Sequence, residues 1–172
     1  MTLDELNAIS DVAAGRALRA CCGASRWVDA MVARRPYGSE EELLETADAV
    51  WRELGPDDWR EAIAQHPRIG EMVLESDARS RAWSSGEQSG VSAADDAKRA
   101  AVTAANKEYE ERFGHIFLIN ATGKSATEIM AACRSRMSNA PDEELAVAGE
   151  ELRKITRIRL EKLITPANTP RP

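Results

Sequence analysis

His66-Pro67-Arg68-Ile69-Gly70 puts an imidazole at a helix end with a proline directly behind it. Proline disfavours helical geometry in the residue before it, so the histidine is held in one direction and points off the element. An imidazole titrates near about pH 6.5 and therefore exchanges protons at cellular pH. The same ring at a helix C-terminus also caps open carbonyls, and residue type alone favours that structural role. Ser84-Ser85-Gly86-Glu87-Gln88-Ser89-Gly90 is a glycine-containing polar turn that presents a hydroxyl, a carboxylate and an amide. Such a turn suits a small polar ligand, and a helix N-terminus there would itself attract an anion. Ser84 with Glu87 also satisfies a capping box, which would explain both residues without a ligand. Arg159 is the third candidate, since it continues the stripe Leu145, Ala148, Leu152 and Ile155 along the last helix. An arginine in that place either snorkels past its neighbours or forms a planar clamp on a carboxylate.

Other chemistry-bearing residues are read as structural. Ala121-Thr122-Gly123-Lys124-Ser125 imitates the end of a phosphate-binding loop, but Leu118 stands where that motif needs glycine, so no nucleotide is implied. His115 follows a glycine cap and precedes an apolar run, which suits a structural histidine. Neither His66 nor His115 has a second ligand at metal spacing. Cys21, Cys22 and Cys133 have no neighbouring histidine to activate them, and burial is their expected state. The tryptophans Trp27, Trp51, Trp59 and Trp83 read as core or pocket wall, with Trp83 abutting Ser84.

The elements that must position these residues are helical. Thr2 with Glu5 forms a capping box for a first helix, and Gly15 to Cys22 reads as a short second one ended by Gly23. Arg26 to Ala33 is a third, stopped by Arg35-Pro36-Tyr37-Gly38. Ser39 caps a longer helix whose apolar positions Leu43, Leu44, Ala47, Val50, Trp51 and Leu54 follow helical spacing. Pro56 opens the next, which runs to His66. Periodicity weakens from Arg68 to Gly90, and Ser92 then starts a long alanine-rich helix to about Arg112, with Gly114 just past its end. Ser125 with Glu128 caps another helix, and the last runs from Pro141 to about Ile164. His115-Ile116-Phe117-Leu118-Ile119-Asn120 is too short for a periodic helix and reads as an extended connector crossing the core. The fold class expected is all-α: a single-domain bundle of about eight helices over residues 1–164, with a Pro-rich tail at 165–172.

Composition narrows the partners. The chain has 172 residues, 43% hydrophobic and 30% charged, which is ordinary for a folded domain with a real core. A formal charge of −6 works against non-specific nucleic-acid binding, and 5% aromatics leave no stacking platform for single strands. No apolar run approaches the roughly 20 residues that span a bilayer. Met1-Thr2-Leu3-Asp4-Glu5-Leu6 lacks the basic region of a secretory signal, and the odd cysteine count suits reduced thiols. A cytoplasmic protein is expected, with neither nucleic acid nor membrane as partner.

Several stretches in one order resemble the family of 2-oxo-4-hydroxy-4-carboxy-5-ureidoimidazoline (OHCU) decarboxylase. They are His66-Pro67-Arg68-Ile69-Gly70, Ser84-x-x-Glu87-Gln88, and Asn106-x-x-Tyr109-x-x-x-Phe113-Gly114-His115-Ile116-Phe117. Ala121-Thr122-Gly123-Lys124-Ser125 and Lys154-Ile155-x-x-x-Arg159-Leu160 continue the likeness over nearly the whole chain. The resemblance implies an all-α, typically homodimeric enzyme that needs no metal or organic cofactor and yields (S)-allantoin from urate breakdown. It implies His66 as the catalytic histidine and Glu87 as its acidic partner. It also implies that Pro67, Ser84, Gln88 and Arg159 line the substrate, with backbone groups of Leu118, Ile119, Asn120, Ala121 and Thr122 completing the pocket. The sequence departs from the family pattern at Arg68-Ile69, where animal relatives have Asp-Leu, and at Asn120, where cysteine or alanine is more usual. Those differences leave room for a related ureido or imidazoline acid as substrate. A non-catalytic helical interaction module is the third reading, and it has no need of His66, Glu87, Gln88 and Arg159 together.

Overall fold

The computed structural model describes residues 1–66 and 92–164, and among these residues the chain is all-helical, with no strand. Eight helices are described: α1 (Leu3–Ala8), α2 (Asp11–Arg19), α3 (Ser25–Ala33), α4 (Glu40–Arg52), α5 (Pro56–Ala64), α6 (Ser92–Phe113), α7 (Ala126–Arg136) and α8 (Pro141–Ile164). Several of the expected caps form. The Glu5 N–H donates to Thr2 Oγ1 at 3.1 Å while the Thr2 N–H donates to Glu5 Oε2 at 2.8 Å. Ser125 and Glu128 repeat that reciprocal pattern at the start of α7. This settles the phosphate-loop imitation: the Ser125 hydroxyl is bonded to the Glu128 carboxylate and is spent on starting a helix. Gly114 takes φ 73°, a left-handed geometry that suits glycine, and its N–H closes α6 on the Glu110 carbonyl.

The boundaries of two helices differ from expectation. α2 begins at Asp11, four residues ahead of Gly15, because the Ser10 side chain accepts the Ala13 N–H and caps it there. It ends at Arg19, and Cys21 and Cys22 form a turn whose N–H groups both reach the Leu18 carbonyl. α5 stops at Ala64 with Gln65 as its cap, so His66 lies just outside the helix.

The chain groups into two compact units. The described part of the first comprises residues 1–65 and 149–164. In it α3 packs against α2, α4 and α5. Trp27, buried on α3, donates its indole N–H to the Ala47 carbonyl on α4 at 3.3 Å. Asp48 on α4 receives Arg153 at 2.7 Å and Arg157 at 3.1 Å from α8. Gly149 lets α8 approach Trp59 of α5, since a Cβ there would lie 3.2 Å from the indole. Along α8 the buried stripe steps through Leu152, Thr156, Leu160 and Ile164. Ile155 and Arg159 are half-buried beside it, rather than on its centre line.

The second unit, residues 66 and 92–148 as described, pairs α6 with α7 around Tyr109, Phe117, Ile119, Ile129 and Cys133. Between the two helices, residues 116–121 have no regular structure, yet Phe117, Leu118 and Ile119 are buried. This is the extended connector expected from the sequence. Beside it lies a buried polar group. Arg136, at the end of α7, donates through Nε to Glu144 Oε1 at 2.7 Å, and its Nη2 stands 2.5 Å from the same oxygen. Glu144, in the first turn of α8, is fully buried and also accepts from the Tyr109 hydroxyl and from Asn139 Nδ2. Burial and the bond to Glu144 push the Tyr109 phenol far above its ordinary range, so it stays a donor. Removing one partner of a buried pair strands the other charge, which costs about 3–5 kcal/mol. Glu144→Ala is therefore expected to lower unfolding stability by about that amount in a urea titration. A loss below about 1 kcal/mol would place this pair among the weak, solvent-screened ones.

Candidate active site

His66 is half-buried and follows the Gln65 cap of α5. Its predecessor is well anchored, because Gln65 donates Nε2 to the Gly23 carbonyl at 2.9 Å and its own N–H to Ala62. The anchoring depends on glycine at position 23, where a Cβ would fall 2.8 Å from Gln65 Cδ. The helix end just before the imidazole is thus fixed by side-chain chemistry. Pro67, Ser84, Glu87 and Gln88 lie outside the described residues, as does Trp83.

The connector places Leu118, Ile119, Asn120, Ala121 and Thr122 in one run with a gradient of exposure. Leu118 and Ile119 are buried, Asn120 is half-buried, and Ala121 and Thr122 are exposed. Several of its polar groups are already engaged within the protein. Leu118 gives its carbonyl to Arg136 Nη1 at 2.8 Å, Thr122 donates its N–H to Asn120 Oδ1 at 3.2 Å, and Ala121 accepts from the Lys124 N–H. Asn120, at a position where the sequence departs from the family pattern, therefore shapes the turn that ends the run. Gly123 completes that turn with φ 75°.

Arg159 is half-buried on α8. Its charge favours the thiolates of Cys21 and Cys22, but burial outweighs it at both. The Cys21 thiol is pushed up to about 12 and the Cys22 thiol to about 11. Both therefore stay protonated at neutral pH, which suits inert packing rather than nucleophilic attack. Cys133 is likewise buried and raised by desolvation. His115 packs its ring against Tyr109 and Phe113, with Nδ1 3.1 Å from the Ile116 carbonyl, the structural setting expected of it. Among the described residues, no three His, Cys, Asp or Glu side chains converge as a metal site. No helix among them is long and apolar enough to cross a membrane.

His66 and the connector fall in the second unit and Arg159 in the first. The reading of the residues singled out neither Arg136 nor Glu144. Glu144 is one of three acidic residues in the first turn of the last helix, which by itself explains its charge there. The available signal was their register: Glu144 adjoins Leu145, and Arg136 lies three residues after the buried Cys133.

Comparison with known proteins gives these positions a context. The family model described as OHCU decarboxylase matches residues 7–161. The uric acid degradation bifunctional protein TTL of Arabidopsis thaliana is 34% identical over 151 residues, which take in 86% of this chain and 46% of that protein. The chain thus spans about half the length of that relative. The 2-oxo-4-hydroxy-4-carboxy-5-ureidoimidazoline decarboxylase of Amia calva is 32% identical over 133 residues, covering 76% of this chain and 75% of its own. A solved structure of OHCU decarboxylase in the presence of (S)-allantoin superposes with a TM-score of 0.70 at 29% identity, covering 91% of this chain and 99% of that one. With a family match running almost from end to end, a relative alike over three-quarters of both chains and a shared all-helical fold, this chain belongs to the OHCU decarboxylase family.

Proposed function

We propose that the protein decarboxylates 2-oxo-4-hydroxy-4-carboxy-5-ureidoimidazoline to (S)-allantoin in urate catabolism, without a cofactor. The observation that carries this reading is the family match over residues 7–161, within which both His66 and Arg159 fall. The substrate bears its carboxylate on a carbon that also holds a hydroxyl and adjoins a C=N bond. When the C–CO2 bond breaks, its electron pair forms a C=C bond to the neighbouring carbon while the C=N pair moves onto the nitrogen, which takes up a proton from solvent, so the electron sink is already in the substrate. The hydroxyl-bearing carbon then becomes a carbonyl as its proton leaves. The neighbouring ureido-bearing carbon takes a proton on one face, which sets the stereochemistry.

Two proton-handling groups are needed, and His66 and Glu87 fill those roles in this reading. One accepts the hydroxyl proton and the other delivers a proton to carbon. Such general acid–base groups contribute roughly 10²–10⁴-fold each. Arg159 forks onto the carboxylate or ureido oxygens, while Ser84, Gln88, Pro67 and the Leu118 to Thr122 run orient the ring. A site that holds water away from the carboxylate also favours loss of neutral CO2. The same reading carries a homodimer, as the family resemblance implies, and a cytoplasmic location, as composition and the cysteines suggest.

With substrate generated in situ from urate, the protein is expected to speed the appearance of the circular-dichroism signal of one allantoin enantiomer. A racemic product formed at the uncatalysed rate would refute the proposal. His66→Ala is expected to cut kcat by at least about 10²-fold while the far-ultraviolet helical signal stays intact. Loss of the helical signal would instead assign the ring to holding the end of α5. Arg159→Lys, which replaces a planar fork with a point charge, is expected to raise KM roughly tenfold. Unchanged kinetics in that variant would take Arg159 out of the site.

A further inference from the structure

The Arg136 cluster spends a buried charge pair where apolar packing would serve stability as well. Glu144 is 0% and Arg136 9% exposed, and burying two charges costs about as much as their attraction returns. What a guanidinium offers that a methionine or leucine cannot is several fixed donors in one plane. Arg136 uses all three of its nitrogens at once. Nε and Nη2 are on Glu144 Oε1, Nη2 is also 3.3 Å from the Tyr109 hydroxyl, and Nη1 is on the Leu118 carbonyl at 2.8 Å. The guanidinium carbon lies 4.7 Å from the Phe117 ring centroid, so the plane is held from the connector side too. Glu144 is fixed in turn by Asn139 Nδ2 at 2.7 Å.

The one backbone group in this network belongs to the peptide that joins Leu118 to Ile119. A trans peptide is planar, so pinning its carbonyl also fixes the direction of the Ile119 N–H on the opposite side. Donation to the carbonyl polarises the amide and strengthens that N–H as a donor. Ile119 is 8% exposed, and among the described residues nothing accepts its N–H. An N–H held in one direction and not taken by those residues is placed to donate to an oxygen of a ligand.

We infer that Arg136 is a positioning residue for substrate recognition, holding the Leu118–Ile119 peptide so that the Ile119 N–H donates to an oxygen of the ureido-imidazoline acid. The inference rests on the proposed decarboxylation and its use of the connector. Arg136→Lys keeps a cation beside Glu144, but one ammonium cannot also reach the Leu118 carbonyl in the same geometry. The variant is expected to raise KM about tenfold with kcat within about twofold. Amide hydrogen exchange should speed up in the peptide spanning residues 115–124. Tyr109→Phe removes a member of the cluster but leaves the Arg136–Leu118 bond, so it should lower the melting temperature without moving KM.

A wild-type KM and unchanged exchange in Arg136→Lys would overturn the inference, as would a KM rise in Tyr109→Phe that tracks its lost stability. The triple variant Tyr109→Phe/Arg136→Met/Glu144→Leu replaces the network with apolar side chains of similar volume. It is expected to fold and still show the raised KM, which covers the case in which Arg136→Lys does not fold; a wild-type KM in it overturns the inference. Wild-type protein with no activity on OHCU would refute the decarboxylase reading, and this inference with it. Active wild-type protein with a kinetically silent Arg136→Lys refutes the positioning role alone.

Discussion

The Arg136–Glu144 pair is the interaction that ties the elements of the second unit to one another. Three elements and a connector meet in it: Tyr109 from α6, Arg136 from α7, Glu144 from α8 and the Leu118 carbonyl. None of these groups is tolerable in a core by itself. A buried carboxylate without a cation would take up a proton, and an arginine without an anion would be driven outward. Each is stable only where the other elements have arrived, so the cluster makes docking of the helices all-or-none. The apolar residues around it, Phe117, Ile119, Ile129 and Cys133, supply the driving force of burial but little directional information.

The first unit solves the same problem with less buried charge. Asp48 on α4 holds Arg153 and Arg157 of α8, but these are partly exposed pairs on the flank of an apolar core. The core itself is built from Leu6, Leu18, Trp27, Met31, Leu43 and Ile63, with Leu152, Leu160 and Ile164 from α8. Arg159 sits beside that apolar stripe and is half-buried as a residue. On the proposed reading, that place suits an arginine that contacts an anionic substrate.

On the proposed reading, this division suits a decarboxylation whose electron sink lies in the substrate. The protein then has to supply orientation, a dry surface and two proton-transfer groups, and none of these requires a bound cofactor. A rigid connector, an imidazole at an anchored helix end and an arginine beside an apolar stripe are each cheap devices of a helical fold. The anchoring of Gln65 to Gly23 and of Leu118 to Arg136 shows how backbone segments next to the expected site residues are fixed by side chains outside it.

The elements were legible in the sequence because their signals are local. Ser39, Ser125, Pro56 and Gly114 mark helix ends through hydrogen bonds or φ angles that involve residues only a few positions away. Where a local rule erred, another local group had prevailed: Ser10 capped α2 ahead of Gly15, and Gln65 took the end of α5 that had been assigned to His66. The connector was legible for the same reason, as an apolar run too short for helical period. His66 and Arg159 stand out in the sequence by residue type and place. What only the tertiary structure decided is the company of Arg136 and Glu144. A sequence records no burial, so nothing local marks these two charges as belonging to the core. The partners that make burial bearable stand 8, 18, 27 and 35 residues apart along the chain. A cap spans one helical turn and can be read from its own neighbourhood, whereas a buried ion pair exists only once distant elements exclude water together.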